Sequence, residues 1–126
     1  MGAIFRRRKC YTGKVKDRSQ YSTDEQFTGE YWIDGKPLYR KVYEVTTPSS
    51  TGTATILETI GNEKTVIKVE GSIVLTNASI PINFYQSSSV YSDAFTGNGN
   101  LYMTIGPSTY AGKSAVIILE YTKTTD

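Results

Sequence analysis

The side chains that could carry out catalysis are few in this sequence, because it contains no histidine and only one cysteine. Without histidine there can be no Ser-His-Asp triad and no Cys-His pair, and zinc sites lose a common ligand. The Ser-x-x-Lys pattern of serine nucleophiles does not occur either. Cys10 lies beside cations that favour a thiolate, but no base accompanies it. Only the carboxylates remain as candidates for catalysis.

Twelve Asp and Glu residues could in principle supply the carboxylate pair of a glycosidase. Their spacing selects no pair, and most occupy turns or alternating positions where a hydrated acid is expected. Asp93, Asn98 and Asn100 could offer oxygen ligands to calcium, but their spacing matches no dedicated loop. The sequence therefore predicts a protein that is not an enzyme and has no metal site and no cofactor.

The elements that would position any site are predicted to be strands, because Ile, Val, Thr and Tyr are frequent while Leu and Ala are few. Clusters of Gly, Pro, Asn and Ser separate short runs of strand formers, a spacing typical of a sandwich or barrel. The predicted strands are Thr28–Ile33, Leu38–Thr46, Thr53–Ile60, Thr65–Glu70, Ser72–Thr76, Ile80–Gln86 with Ser89–Phe95, Leu101–Ile105 and Ala115–Lys123. We expect an all-β, jelly-roll-like antiparallel sandwich.

Two strands can be described further. Asp34-Gly35 predicts a two-residue hairpin loop that would pair Ile33 with Lys36 and Tyr31 with Leu38, and Pro37 should start the next strand. In that strand, alternation predicts burial of Tyr39, Tyr43 and Val45, with Arg40 and Glu44 in water. The continuously apolar run 115–119 predicts a central final strand, covered on both faces or on one face by another subunit.

Charge is distributed unevenly along the chain. Residues 1–18 contain seven bases and one acid, a net charge of +6, whereas the rest of the chain has a net charge of −4. We therefore divide the chain into a basic N-terminal arm, residues 1–20, and a β-sandwich domain, residues 21–126. The run Arg6, Arg7, Arg8 and Lys9 is consistent with a solvated chain end, with docking on an acidic protein surface, or with contact to nucleic acid. Nucleic acid is the least favoured partner, because only the arm is basic. No stretch approaches the length of a membrane span, so no membrane partner is predicted.

Ten tyrosines give the domain material for contacts with other molecules. Tyr85 and Tyr91 flank a serine-rich stretch, and Tyr110 ends the loop Ser108-Thr109-Tyr110. These three are the candidate contacts at the tip of the domain. The alternative is that they are half-buried strand residues with hydrated hydroxyl groups.

The stretch Tyr21-Ser22-Thr23-Asp24-Glu25-Gln26, then Gly29 and Trp32-Ile33-Asp34-Gly35-Lys36-Pro37-Leu38-Tyr39, resembles a segment recurrent in virion structural proteins of tailed bacteriophages. The ending Glu120-Tyr121-Thr122-Lys123-Thr124-Thr125-Asp126 is similar to the C-terminus of the same tail-fibre and head-fibre type. The resemblance implies a β-rich tip domain, commonly a homotrimer, without enzymatic activity. It departs from a tail fibre in having a basic segment of about twenty residues in place of a long shaft.

The resemblance and the charge distribution together predict a virion protein, assembled in the host cytoplasm. It would be a short fibre or decoration module that docks on the capsid, collar or tail through its arm. The displayed domain would then be available for attachment to the host surface, with surface glycans as a candidate ligand. The alternative is a stand-alone carbohydrate-binding β-sandwich.

Overall fold

A computed structural model describes residues 20–126, which form nine β-strands and one 3₁₀ turn at Ser108–Tyr110. The arm residues Arg6 to Lys9 and Cys10 lie outside the described residues. The strands are β1 Gln26–Tyr31, β2 Pro37–Thr46, β3 Thr55–Thr59, β4 Lys64–Val74, β5 Ser79–Pro81, β6 Phe84–Ser87, β7 Val90–Gly97, β8 Asn100–Ile105 and β9 Ser114–Lys123. The expected all-β class is confirmed.

The strands form two antiparallel sheets that pack as a sandwich. One sheet has five strands in the order β1-β2-β9-β4-β5, and the other has four in the order β3-β8-β7-β6. The largest fully buried side chains come from both sheets and fill the space between them. They are Ile73, Leu101, Met103, Ile105, Ile117, Leu119 and Tyr121.

The last strand is central, as predicted, because β9 lies between β2 and β4 over residues 114–121. Its core face, which includes Ile117, Leu119 and Tyr121, is fully buried. Val116 and Ile118 point to the outer face and are half-buried beside side chains of β2 and β4. The apolar run therefore has the core on one face and a half-covered aliphatic strip on the other.

Gly71 joins two predicted strands into one. The sequence reading placed a break here, but β4 continues from Lys64 to Val74 through this residue. Gly71 has a φ of 148°, and a Cβ atom at this position would overlap the carbonyl oxygen of Val116. The glycine therefore allows β4 and β9 to approach more closely than any side chain would permit.

The first hairpin differs from the prediction by one residue. Trp32 N donates a hydrogen bond to Lys36 O at 2.9 Å and Gly35 N donates to Trp32 O at 2.8 Å, so the loop has three residues. Tyr31 consequently pairs with Pro37, which begins β2 as expected. The reason is conformational, because only Gly35 in this loop has a positive φ, whereas a two-residue type I′ loop needs two such residues.

A type I′ geometry occurs instead in the hairpin between β7 and β8. Asn98 and Gly99 have φ values of 51° and 75°, and Gly97 pairs directly with Asn100 across the loop. Asparagine tolerates the left-handed region and glycine adopts it freely. This turn falls between the predicted strands Ser89–Phe95 and Leu101–Ile105, in one of the Gly- and Asn-rich clusters expected to separate strands.

Burial along β2 follows the predicted alternation only in part, because Leu38 and Val42, on the face opposite Tyr43, are buried as well. Tyr43 is buried, and Tyr39 and Val45 pack partly buried against the core. On the other face Glu44 is exposed, but Arg40 is half-buried rather than in water. Its guanidinium lies 4.0 Å from the centre of the Tyr21 ring, because the chain before β1 returns over this part of the sheet.

Candidate functional site

Two of the three tyrosines predicted as contacts lie together on the outer face of the four-stranded sheet. Tyr85 on β6 pairs directly with Tyr91 on β7. Tyr85 is 70% exposed and Tyr91 is half-buried. Tyr110 does not join them, because it is only 7% exposed and belongs to the core cluster. The structure therefore corrects the expectation for Tyr110, which is a core residue.

The same outer face carries an apolar row that the sequence reading did not select. Ile56 on β3 pairs with Tyr102 on β8, which in turn pairs with Phe95 on β7. The rings of Phe95 and Tyr102 stack with their centroids 5.0 Å apart, and Phe95 and Ile56 are each about half exposed. The signal was available, because Tyr102 alternates with the buried residues Leu101 and Met103.

A second exposed apolar surface is the tip of the β1–β2 hairpin. Ile33 is 91% exposed and Tyr31 is 64% exposed. Phe27 contacts Tyr31 edge-to-face with ring centroids 5.6 Å apart, and it also packs beside Tyr39. We call Phe27, Tyr31 and Ile33 the hairpin tip. Ile33 of the quoted motif and Tyr31, which precedes that motif, thus present apolar side chains to the outside of the domain.

Behind the hairpin, a polar network connects the chain before β1 to β9. Glu25 accepts hydrogen bonds from Tyr121 Oη at 2.6 Å and from Lys123 Nζ. Lys123 Nζ also lies 4.5 Å from the centre of the Tyr39 ring, and Lys64 Nζ lies 5.2 Å from that of Tyr121. We call Glu25, Tyr121 and Lys123 the clasp, because they join residues about a hundred positions apart.

The charges of the clasp determine its chemistry. Burial alone would raise the pKa of Glu25, but the hydrogen bonds from Lys123 and Tyr121 lower it below its ordinary value of 4.5. Burial and the hydrogen bond to Glu25 raise the pKa of the Tyr121 hydroxyl. At neutral pH the clasp is thus an ionised carboxylate held by a neutral phenol and a cation. This arrangement stabilises the folded chain rather than poising a group for proton transfer.

A groove runs along one side of the sandwich, where the two sheets do not meet. It has a volume of about 480 Å³ and lies between the second half of β2, residues 43–46, and β3. We call it the lateral groove. Its apolar floor includes Val45 and Leu57, and Glu44 and Glu58 both line it. Burial, followed by the nearby charge of Glu58, raises the pKa of Tyr43 at the adjoining end to about 12.

Within residues 20–126 no cluster of three or more His, Cys, Asp or Glu side chains is arranged to hold a metal ion. No helix in that part of the chain has the length and hydrophobicity to span a bilayer. Comparison with known proteins adds no assignment, since no family model, no curated protein and no solved structure matches this chain significantly. Any functional proposal must therefore be based on the surfaces described above.

Proposed function

We propose that the protein is a structural component of a tailed-phage virion, a short fibre or decoration module. Its basic arm docks on the capsid, collar or tail, and its sandwich domain is displayed at the virion surface, where it is available for attachment to the host. The module assembles as a homotrimer. Support comes from the sequence resemblance around residues 21–41, from the contrast between the +6 arm and the −4 remainder, and from the exposed hairpin tip.

The hairpin tip is the observation that carries this proposal. Ile33 is 91% exposed and stands two residues from Tyr31, and exposed apolar residues grouped in this way mark contacts with other molecules. Tyr31, at 64% exposed, extends the same apolar surface, and aromatic residues of this kind are enriched at subunit contacts. In a trimer, the three hairpin tips would bury one another or a neighbouring virion protein.

Replacing Ile33 by Asp tests the assembly role. We expect sedimentation to show a trimer for the wild-type chain and a monomer for Ile33→Asp, with unchanged thermal unfolding of the monomeric unit because Ile33 makes no core contact. Val74→Asp is the matched control, since Val74 is also an exposed apolar strand residue, 48% exposed, away from the hairpin. A trimer that survives Ile33→Asp would contradict the role assigned to the tip.

The docking role is tested separately with the arm. Replacing Arg6, Arg7, Arg8 and Lys9 by Gln removes four positive charges without shortening the chain. We expect this variant to remain an oligomer but to be absent from purified particles. Incorporation at the wild-type level would show that the arm is not the docking element.

Carbohydrate binding is a second candidate function, favoured by the pairing of Tyr85 with Tyr91 on an exposed face. Their rings lie near Ser87 and Ser89, whose hydroxyl groups are 3.4 Å apart and could bind sugar hydroxyls. Glycan-array binding by the wild-type chain should then be lost in Tyr85→Ala and kept in Tyr31→Ala, which removes a similarly exposed ring elsewhere. No binding to any glycan would leave only the structural role.

A further inference from the structure

The lateral groove is bordered by two strand edges that have no strand partner among residues 20–126. On one side, β1 pairs with β2 only as far as Arg40, and the last contact beyond it is the hydrogen bond from Val42 N to Ser22 O at 2.9 Å. On the other side, β3 is the terminal strand of its sheet and pairs only with β8. Unpaired backbone donors and acceptors at such edges are ready to accept an additional strand.

The side chains of the groove specify the chemistry of that strand. Val45 and Leu57 form an apolar floor, which suits one apolar side chain of an incoming strand. Glu44 and Glu58 are exposed, and no cation lies among the groove's lining residues; Lys41 lines only the adjoining end. The groove therefore favours a strand with basic residues on both sides of an apolar one.

The described chain begins close to this groove. Thr23 lines the adjoining end of the groove beside Val42, and Gln20 O accepts hydrogen bonds from Gln26 Nε2 at 2.7 Å and from Arg40 Nη2 at 3.3 Å. The five residues of β2 from Arg40 to Val45 span about 17 Å, and the five residues from Gln20 back to Val15 can extend over the same distance. The segment that precedes Gln20 can thus reach the groove from where the chain enters the domain.

We propose that the lateral groove binds residues 14–18 of the same chain, Lys14-Val15-Lys16-Asp17-Arg18, as an added strand. Val15 would face the apolar floor, and the lysines on either side of it would lie near the two glutamates. This segment is the part of the arm closest to the domain in which an apolar β-branched residue stands between two bases. The proposal concerns the isolated chain and does not depend on the virion role.

Charge argues against a second copy of the domain as the occupant. Pairing two copies through β3 would bring Glu58 of one chain near the acidic groove of the other, and like charges across a strand pair are destabilising. The arm offers the opposite sign, with seven bases and one acid in residues 1–18. A groove occupied by its own arm would also shield two strand edges from aggregation.

Hydrogen exchange of the full-length chain, followed by mass spectrometry, tests the proposal. We expect amides in residues 14–18, 43–46 and 55–59 to exchange about fivefold to tenfold more slowly in the wild-type chain than in Lys14→Glu/Lys16→Glu, because the variant loses its opposite-charge pairs. Glu44→Lys/Glu58→Lys should lose the same protection. The fourfold variant, Lys14→Glu/Lys16→Glu/Glu44→Lys/Glu58→Lys, exchanges the charges of the arm and the groove and should restore most of the protection.

The control variant is Glu30→Lys/Glu70→Lys, which reverses two exposed acids outside the groove and should keep the wild-type pattern. Three results would overturn the proposal: equal exchange in the wild-type and Lys14→Glu/Lys16→Glu chains, no recovery in the fourfold variant, or protection that increases with protein concentration. The last would assign the groove to the arm of another copy. Each result is independent of whether the chain enters a virion.

Discussion

The two halves of β2 differ in how completely they are enclosed. Residues 37–42 lie between neighbouring chain on one side and β9 on the other, and Tyr39 stacks on the Tyr121 ring with centroids 6.1 Å apart. Residues 43–46 pair with β9 alone and border the lateral groove. The first half of β2, together with the clasp, is the closed region. Residues 43–46 form the open margin, which can accept another segment.

The boundary between the two halves has a local cause. Ser22 O accepts a hydrogen bond from Val42 N at 2.9 Å, and Ser22 Oγ accepts one from Asp24 N at 3.0 Å in a polar turn just before β1. Gln20 O accepts hydrogen bonds from Gln26 Nε2 and Arg40 Nη2, so the chain before Ser22 turns back towards Arg40 and does not continue along β2 beyond Val42. Residues 43–46 are therefore left without a partner on this side among the described residues.

The largest expected effect is in the middle of the five-stranded sheet, at Gly71. Gly71→Ala should destabilise the domain by about 3 kcal/mol or more, because the new Cβ would overlap the Val116 carbonyl and the φ of 148° disfavours a side chain. Denaturant unfolding measures the change. Gly112→Ala is the control, because Gly112 also has a positive φ, 64°, but no atom lies within 4 Å of an added Cβ. This variant should lose only about 1 kcal/mol of the free energy of unfolding. Similar losses in both variants would show that β4 and β9 can separate without penalty.

Tyr43, at the boundary of the two regions, predicts a loss of stability at alkaline pH. The pKa of Tyr43 in the folded chain is about 12, against an ordinary value of 10. Its contribution to the free energy of unfolding is therefore fully present below pH 10 and is lost as the pH rises towards 12. We expect the free energy of unfolding to fall by about 2 kcal/mol between pH 10 and pH 12 in the wild-type chain, and to fall by less in Tyr43→Phe. If the two chains lose stability equally with rising pH, the phenol of Tyr43 is not the group responsible.

The clasp predicts a smaller effect with the opposite pH dependence. Glu25→Gln should lower the free energy of unfolding by about 1 kcal/mol at neutral pH, since it replaces a charged acceptor shared by Tyr121 and Lys123. Because the pKa of Glu25 is lowered, the wild-type contribution is present above pH 4.5 and is lost as the pH falls below it. The stabilities of the wild-type and Glu25→Gln chains should therefore converge in acid. Glu30→Gln, an exposed acid on β1, should leave stability unchanged throughout.

The smallest effect is expected at the open margin. Glu44→Lys/Glu58→Lys should lower the free energy of unfolding by at most about 1 kcal/mol, because both side chains are exposed and only the binding of residues 14–18 is lost. Thermal and denaturant unfolding together would measure it. A loss as large as that of Gly71→Ala would mean that the groove glutamates support the core, and that the open margin is not separate from the closed region.

Local chemistry allowed much of this structure to be predicted from sequence. The apolar run of β9, the turn at residues 97–100 and the buried face of β2 follow from periodicity and turn preferences. The lateral groove could not be predicted in this way, because it depends on which strands end a sheet. The sequence predicts a break between two strands at Gly71, because a glycine in a turn cannot be distinguished from a glycine at a close contact between strands.

Tyr110 illustrates the same limit for the site residues. Its neighbours Ser108 and Thr109 are exposed, and their composition indicated a surface loop. The 3₁₀ turn nevertheless directs the Tyr110 ring into the core, and Thr47 Oγ1 donates a hydrogen bond to its carbonyl oxygen. Composition predicted the turn, but the inward direction of the ring depends on packing against core residues that are distant in sequence.

The clasp also determines how the domain would respond to mechanical force. Glu25, just before β1, is bonded to Lys123 at the end of β9, so tension applied between the arm and the C-terminal end would load that ion pair once the hydrogen bonds of Ser22 with Val42 and of Thr124 with Glu63 break. It would then pass in shear through the hydrogen bonds that join β1, β2 and β9. The four-stranded sheet lies outside this path. A pulled domain would therefore keep its Tyr85 and Tyr91 face intact until the five-stranded sheet yields.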